Sequence, residues 1–311
     1  MQSAPQSAPK ARPLRWRILG GVALVLAVGG AIRAATIKPV ALKPYLADSR
    51  PVILAHQGAS AYAPSDTIES FKLGMQQGAD IIETDLHMTK DGALVLAHDE
   101  TVDRLTNGTG AIEEMTLAEL RQLDFGYKFT PDGQTFPWRG KGVTIPTLEE
   151  VFQQFPGVRV NLELKLSSTP MEPVLYELVK KYHMEDKVGI ASFHAEPGPR
   201  YRALDGGVAA RSASEKDMYT FAGLWVPGLS FLWQPNVELF QLPTAQKVGP
   251  IEIRLDTPRL IKAAHKVGVK VHYWTINDEA TMRHLLEIGA DGIITDRPDM
   301  AQKVMSEMGL R

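Results

Sequence analysis

Cysteine is absent from the 311 residues, which excludes disulfides, thiolate nucleophiles and any Cys-ligated metal. A metal ion would have only Asp, Glu or His to sit on. Long apolar runs are scarce as well: the longest, residues 18–32 (ILGGVALVLAVGGAI), has fifteen uncharged residues and ends at Arg33. Acid is missing from the first 47 residues, which carry seven Lys and Arg. Beyond them 27 bases face 36 acids, so the formal net charge of −2 conceals a body at −9. An acidic body with no basic stripe argues against nucleic-acid binding, which needs clustered Lys and Arg against phosphates. No G-x-G-x-x-G or G-x-x-x-x-G-K-[ST] follows a strand-like run, which weakens a nucleotide-binding reading.

What remains is the composition of an ordinary globular enzyme: 44% hydrophobic, 23% charged, with 26 Gly and 21 Pro scattered along the chain. Residues 1–17 read as a basic cytoplasmic tail and 18–37 as a signal-anchor or signal peptide. The apolar run suits a signal-peptide core, and letting Arg33 snorkel extends it to about Ile37, near the ~20 residues a bilayer needs. Gly29 and Ala31 are small residues of the kind a cleavage site carries. Either reading puts the remaining chain outside the cytoplasm, membrane-anchored if uncleaved, secreted or periplasmic if cleaved. Residues 38–50, with Pro39 and Pro44, read as a linker, and 51–311 as the catalytic body.

In that body, short apolar runs alternate with amphipathic segments. Strands are expected at 52–58, 81–86, 159–166, 188–193, 208–212, 239–242, 270–276 and 292–295, with a further short run at 94–97. Helices are expected at 66–77, 172–183, 215–224, 257–267 and 278–288. Such β-then-α alternation implies a parallel sheet, and about eight strands in about 260 residues favour a closed TIM (β/α)8 barrel. Two stretches interrupt it. Residues 101–145, with one short helix at 117–123, read as an insertion after the second strand, and 227–250 as irregular and aromatic-rich.

Strands buried in a barrel are apolar on both faces, so alternating charge within one marks the mouth. In IIETDL, Glu83 and Asp85 share a face; in VNLELKL, Asn161, Glu163 and Lys165 do. Three carboxylates on one mouth repel unless a cation bridges them, and oxygen ligands suit a hard divalent ion, Mg²⁺ or Ca²⁺. The plainer alternative pairs each acid with a local base, such as Glu163 with Lys165. His56 ends the first strand and His98 ends the run at 94–97. Two strand-end histidines beside an acid cluster suit proton relay in phosphoryl transfer. His183, His265 and His284, on helical segments, read as structural; His87, His194 and His272 are left open.

These blocks resemble the glycerophosphodiester phosphodiesterase family from about residue 52 to 298. AHQGASAYAPSDTIESF is similar to the family's H-R-G and P-E-N-T opening, GADIIETDLHMTKDGALVLAHDE to its G-A-D-x-x-E-x-D and H-D blocks, NLELK to its E-x-K strand, and VHYWTIN and GADGIITDRP to its closing blocks. The resemblance implies His56 and His98 as an acid/base pair, Glu83, Asp85 and Glu163 as ligands of a divalent metal, Lys165 on the phosphate and Trp274 at the substrate pocket. It also implies hydrolysis of glycerophosphodiesters to glycerol 3-phosphate and an alcohol. The usual Arg is here Gln57, and the P-E-N-T acid and amide are Ser65 and Asp66. Gln offers the phosphate only neutral hydrogen bonds, which puts substrate preference rather than reaction class in question. The alternatives are a lysophospholipase D or phosphatidylglycerol-cleaving phospholipase, for which the aromatic stretch 221–240 would hold a lipid tail, and a non-catalytic envelope protein that binds lipid headgroups.

Overall fold

The computed structural model describes residues 29–30, 35–166 and 168–311. Most of the apolar run at 18–37 lies outside them, and no helix among the described residues is long and apolar enough to cross a membrane. The strands are β1 Val52–His56, β2 Ile81–Met88, β3 Leu94–Leu96, β4 Arg159–Leu164, β5 Val188–Ala191, β6 Ala210–Arg211, β7 Leu239–Leu242, β8 Ala245–Val248, β9 Ile251–Arg254, β10 Lys270–Tyr273 and β11 Gly292–Thr295. Eight run parallel in the order β6-β5-β4-β2-β1-β11-β10-β7. A parallel bridge from Ser212 to Leu239 joins the two ends, so the sheet closes into the expected TIM barrel.

The pleat sorts each strand's residues. In β2, Ile82 and Leu86 face outward and pack with Phe71, Val151 and Leu162 under the helices. In β1, Val52 and Leu54 face inward, where they meet Ile81, Leu239 and Ile294. Helices Ile68–Gln76 and Leu148–Gln154 are started by capping boxes at Thr67 and Thr147, which satisfy backbone donors the first turn leaves open.

The structure adds detail to the sequence reading. The run at 94–97, expected as a short run beyond the eight barrel strands, is β3, paired antiparallel to β2. The insertion at 101–145 that follows it has its own small core of Val102, Ile112, Leu120, Phe125, Val143 and Ile145. Within 227–250 and just beyond lies the β8–β9 hairpin, turning at Gly249 and Pro250. The aromatics proposed for a lipid tail, Phe221, Trp225, Trp233 and Phe240, are buried together in the core between helices and sheet. Phe231, Val226 and Leu229 of the same stretch stay at the surface.

The segment read as a linker packs under the barrel. Tyr45 is 1% exposed, and Arg159 holds the segment by donating to the Tyr45 carbonyl and pairing with Asp48. The barrel floor is therefore closed by chain that precedes the first strand, and the mouth opens at the opposite, C-terminal ends of the strands.

Candidate active site

Strand β1 ends at His56, and the chain leaves through a left-handed turn in which Gln57 has φ 53° and Gly58 φ 86°. Glycine is required at 58, because a Cβ there would lie 2.3 Å from Ser70 Oγ. The turn aims the Gln57 N–H at Glu83, 2.9 Å from its carbonyl oxygen and 3.2 Å from Oε2. The Gln57 amide reaches Asp85 Oδ2 at 3.3 Å and lies 3.4 Å from His56 Nε2.

A cavity of about 240 Å³ opens above this layer. His56, Glu83, Asp85, His98, Glu163 and Trp274 line it, together with Phe193, Ser212, Ala213 and Gln241. Gln57 and Lys165 are not among its lining residues. Lys165 Nζ lies 2.7 Å from Asp85 Oδ1 and also pairs with Glu163 Oε1. The plainer sequence alternative, Glu163 paired with Lys165, is thus the geometry present, with Asp85 included.

Each histidine is backed by a carboxylate. His56 Nδ1 donates to Asp296 Oδ1 at 2.6 Å, and Asp296 also accepts from Ser60 Oγ at 2.7 Å and from Asn277. Burial works against a charged ring, but the bond to Asp296 and the charges of Glu83, Asp296 and Asp85 outweigh it and push His56 up to about 9. His98, half exposed, donates from Nδ1 to Asp99 Oδ1 at 2.7 Å, and Arg104 holds the other oxygen of Asp99 at 2.6 Å. In both rings the bond fixes Nδ1 as the donor and leaves Nε2 for other chemistry.

The acids are strained electrostatically. Burial, then the charges of Asp85 and Glu163, push Glu83 up to about 8 against the pull of His56. Burial and Asp85 raise Glu163 against the pull of Lys165. Lys165 itself is held as an ammonium: burial opposes its charge, and the two acids more than reverse that. One ammonium leaves Glu83 with a backbone N–H and no cation but His56, so the cluster is short of positive charge. This all-oxygen donor set fits a hard divalent cation. Among the described residues no group of three His, Asp or Glu is already drawn together at coordination geometry; the Lys165 ammonium stands between two of the acids instead.

Sequence reasoning missed Asp296, Asp99, Gln241 and Phe193. Asp99 and Asp296 stand inside the quoted H-D and T-D-R-P blocks, so adjacency to a strand end was their signal. Gln241 and Phe193 carried none, since a single Gln or Phe in an apolar run reads as ordinary sheet. The three departures from the family pattern gather behind β1 and β2: the Asp66 N–H donates to the Gln57 carbonyl at 3.0 Å, Thr84 Oγ1 donates to Asp66 Oδ1 at 2.7 Å, and Ser65 Oγ and Asp66 Oδ2 are buried without hydrogen-bond partners among the described residues. Burial, with Asp85 adding, pushes Asp66 up to about 7.

The sequence model of the glycerophosphoryl diester phosphodiesterase family matches residues 56–300. A glycerophosphodiester phosphodiesterase of Caldanaerobacter subterraneus subsp. tengcongensis is 35% identical over 254 residues, covering 80% of this chain and 95% of its own. A lysophospholipase D of Rattus norvegicus is 23% identical, covering 82% of this chain and 86% of its own. Among solved structures, an Oleispira antarctica phosphodiesterase in complex with the product sn-glycerol-3-phosphate superposes with a TM-score of 0.66 at 28% identity, covering 83% of this chain and 97% of that one. With a closed barrel, acids and histidines on one mouth, and these relatives, the chain belongs to the glycerophosphoryl diester phosphodiesterase family and is a glycerophosphodiester phosphodiesterase.

Proposed function

We propose that the protein hydrolyses glycerophosphodiesters to glycerol 3-phosphate and an alcohol, with a divalent cation on Glu83, Asp85 and Glu163 and with His56 and His98 as the acid/base pair. The observation that carries this reading is the convergence of all five side chains on one cavity. When bound, the cation offsets the negative charge that builds on the phosphoryl oxygens. The rest falls to side chains. His98, backed by Asp99, accepts through Nε2 the proton of the attacking water. As the new P–O bond forms and the P–O bond to the alcohol breaks, His56 gives its Nε2 proton to the departing oxygen. Asp296 keeps His56 protonated at neutral pH, which is the state an acid must start from. Lys165 adds positive charge toward the phosphate, Gln57 offers a neutral amide, and Trp274 forms a wall of the pocket.

A second reading, hydrolysis of lysophospholipids or phosphatidylglycerol, is favoured by the rim. Phe193, 45% exposed, meets the Trp274 ring edge-on at 5.8 Å. An acyl chain would find apolar contacts there. The basic run ahead of residues 18–37 supports a barrel held at, or released beyond, a membrane. Mass measurement of the mature N-terminus after cell fractionation separates anchoring from cleavage.

The test is to assay the full chain in parallel on a glycerophosphodiester and a lysophospholipid, in excess chelator and after Mg²⁺ or Ca²⁺ is restored. Release of the headgroup alcohol, with glycerol 3-phosphate from the diester or lysophosphatidate from the lysophospholipid, that disappears with chelator and returns with the ion is expected. No release from either substrate under any condition would overturn the reading and leave a headgroup-binding protein.

A further inference from the structure

Strand β7 stands four staves from β2 in either direction around the eight-stranded barrel, directly across from Glu83 and Asp85. Leu239 of β7 packs in the barrel interior, so Gln241, two residues on, also faces inward. Its amide is not free to turn. Gln241 Nε2 donates to Asn161 Oδ1 at 3.0 Å. Tyr45 Oη, rising from the segment that closes the floor, approaches the same oxygen at 3.5 Å. Asn161 is 2% exposed, and Asn161 and Tyr45 are locked in the packed interior. With one N–H of its NH₂ group held by Asn161, Gln241 lines the cavity with a carbonyl Oε1 that accepts no hydrogen bond from the described residues.

A fixed carbonyl is an acceptor only, so it repels phosphate oxygens and attracts hydroxyl hydrogens. The phosphate of a diester has its partners on the opposite wall, where Lys165, the histidines and the cation-seeking acids stand. The groups that reach β7 are then those attached to the phosphate. We infer that Gln241 is a specificity-determining residue that accepts a hydrogen bond from a hydroxyl of the substrate's glyceryl half, held in register by Asn161 and, beneath it, by Tyr45. This rests on the phosphodiesterase reading above and adds to it which wall selects a polyol over a plain alkyl group. A diester without hydroxyls covers this carbonyl and leaves it unpaired, and that mismatch is what discriminates.

The experiment compares two diesters of the same leaving alcohol, one glyceryl and one propyl, through the ratio of their kcat/KM values. The parent is expected to favour the glyceryl diester by ten-fold or more. In Gln241→Met, of similar length with no acceptor oxygen, the ratio should fall by about ten-fold, equivalent to about 1.4 kcal/mol. Gln241→Asn, which withdraws the amide by one methylene, should also lower it. Titration of both variants with glycerol 3-phosphate and with propyl phosphate reads the same preference without turnover, and equal melting temperatures establish that they fold. A parent-like ratio in both folded variants overturns the inference and leaves the phosphodiesterase reading standing. If Gln241→Met fails to fold, Gln241→Asn alone decides by the same criterion. A parent that cleaves neither diester overturns both.

Discussion

Around the mouth, β1, β2 and β4 bring His56, Glu83, Asp85 and Glu163 together, whereas the strand ends across the barrel, β5, β6, β7 and β10, present Phe193, Ala213, Gln241 and Trp274. On the first side His56, Glu83, Glu163 and Lys165 are displaced from their ordinary protonation by burial and by their neighbours. On the second, nothing that lines the cavity titrates. A barrel lets both coexist, because its staves end on a common rim while its interior separates opposite walls. Charge crowded on one wall suits bond breaking, and neutral surface on the other suits recognition.

That contrast is open to attack by substitution. The largest loss is expected on the charged wall: His56→Ala or His98→Ala should lower kcat by about 10²- to 10⁴-fold with the melting temperature near that of the parent, as loss of general acid/base catalysis does. A variant within a few fold of the parent would assign that histidine to structure. Asp296→Asn should be the next largest, a loss of roughly ten- to a hundred-fold, with a readout that packing alone would not move. Without the carboxylate, His56 no longer holds its proton up to about 9, so the alkaline limb of the kcat profile should shift to lower pH. An unmoved limb would show that Asp296 does not act through His56.

On the neutral wall, Trp274→Ala should raise KM by roughly three- to ten-fold while kcat changes less, the pattern of lost binding shared by ground and transition states. An equal fall in kcat would place Trp274 with the reacting groups instead. The smallest effect on turnover belongs below both walls, at His272. It is 1% exposed on β10, against Gly292, where a Cβ would come within 2.6 Å of its ring. Burial pushes His272 down to about 4 from an ordinary 6.5. The unfolded chain therefore takes up this proton first: stability is fully present above about pH 6.5 and falls as the pH drops towards 4, by on the order of 3 kcal/mol. His272→Gln should flatten that part of the melting-temperature profile relative to the parent. A variant profile parallel to the parent's across pH 4–7 would refute it.

Most of the barrel was legible because its staves are short apolar runs between amphipathic helices; the weak run at 239–242 coincides with β7. The segment 94–97 was set apart from the eight strands but its partner was not legible, because a three-residue apolar strand does not specify which neighbour it folds back on. The hairpin of AQKV and IEIR is too short and polar to announce itself, and helix Pro197–Asp205, rich in Gly, Pro and Arg, shows no clear apolar stripe. In the site, residues that bear charge on a strand were found, since charge there is anomalous. Asp296 and Gln241 were not, because their roles come from partners far along the chain: His56 for one, Asn161 and Tyr45 for the other. The packing of 38–50 under the floor was hidden for the same reason, its prolines suggesting a spacer while Tyr45 supplies the plug.

The proposed hydrolysis depends most on a divalent cation completing the charged wall. Calorimetric titration of the full-length, chelator-stripped protein with Mg²⁺ and with Ca²⁺, run beside diester turnover on the same samples, tests it most directly. Binding of one ion per chain that restores turnover, with both lost in Glu83→Gln and Glu163→Gln, is the predicted result. Full turnover in excess chelator, or an ion that binds equally well to both variants, would contradict it.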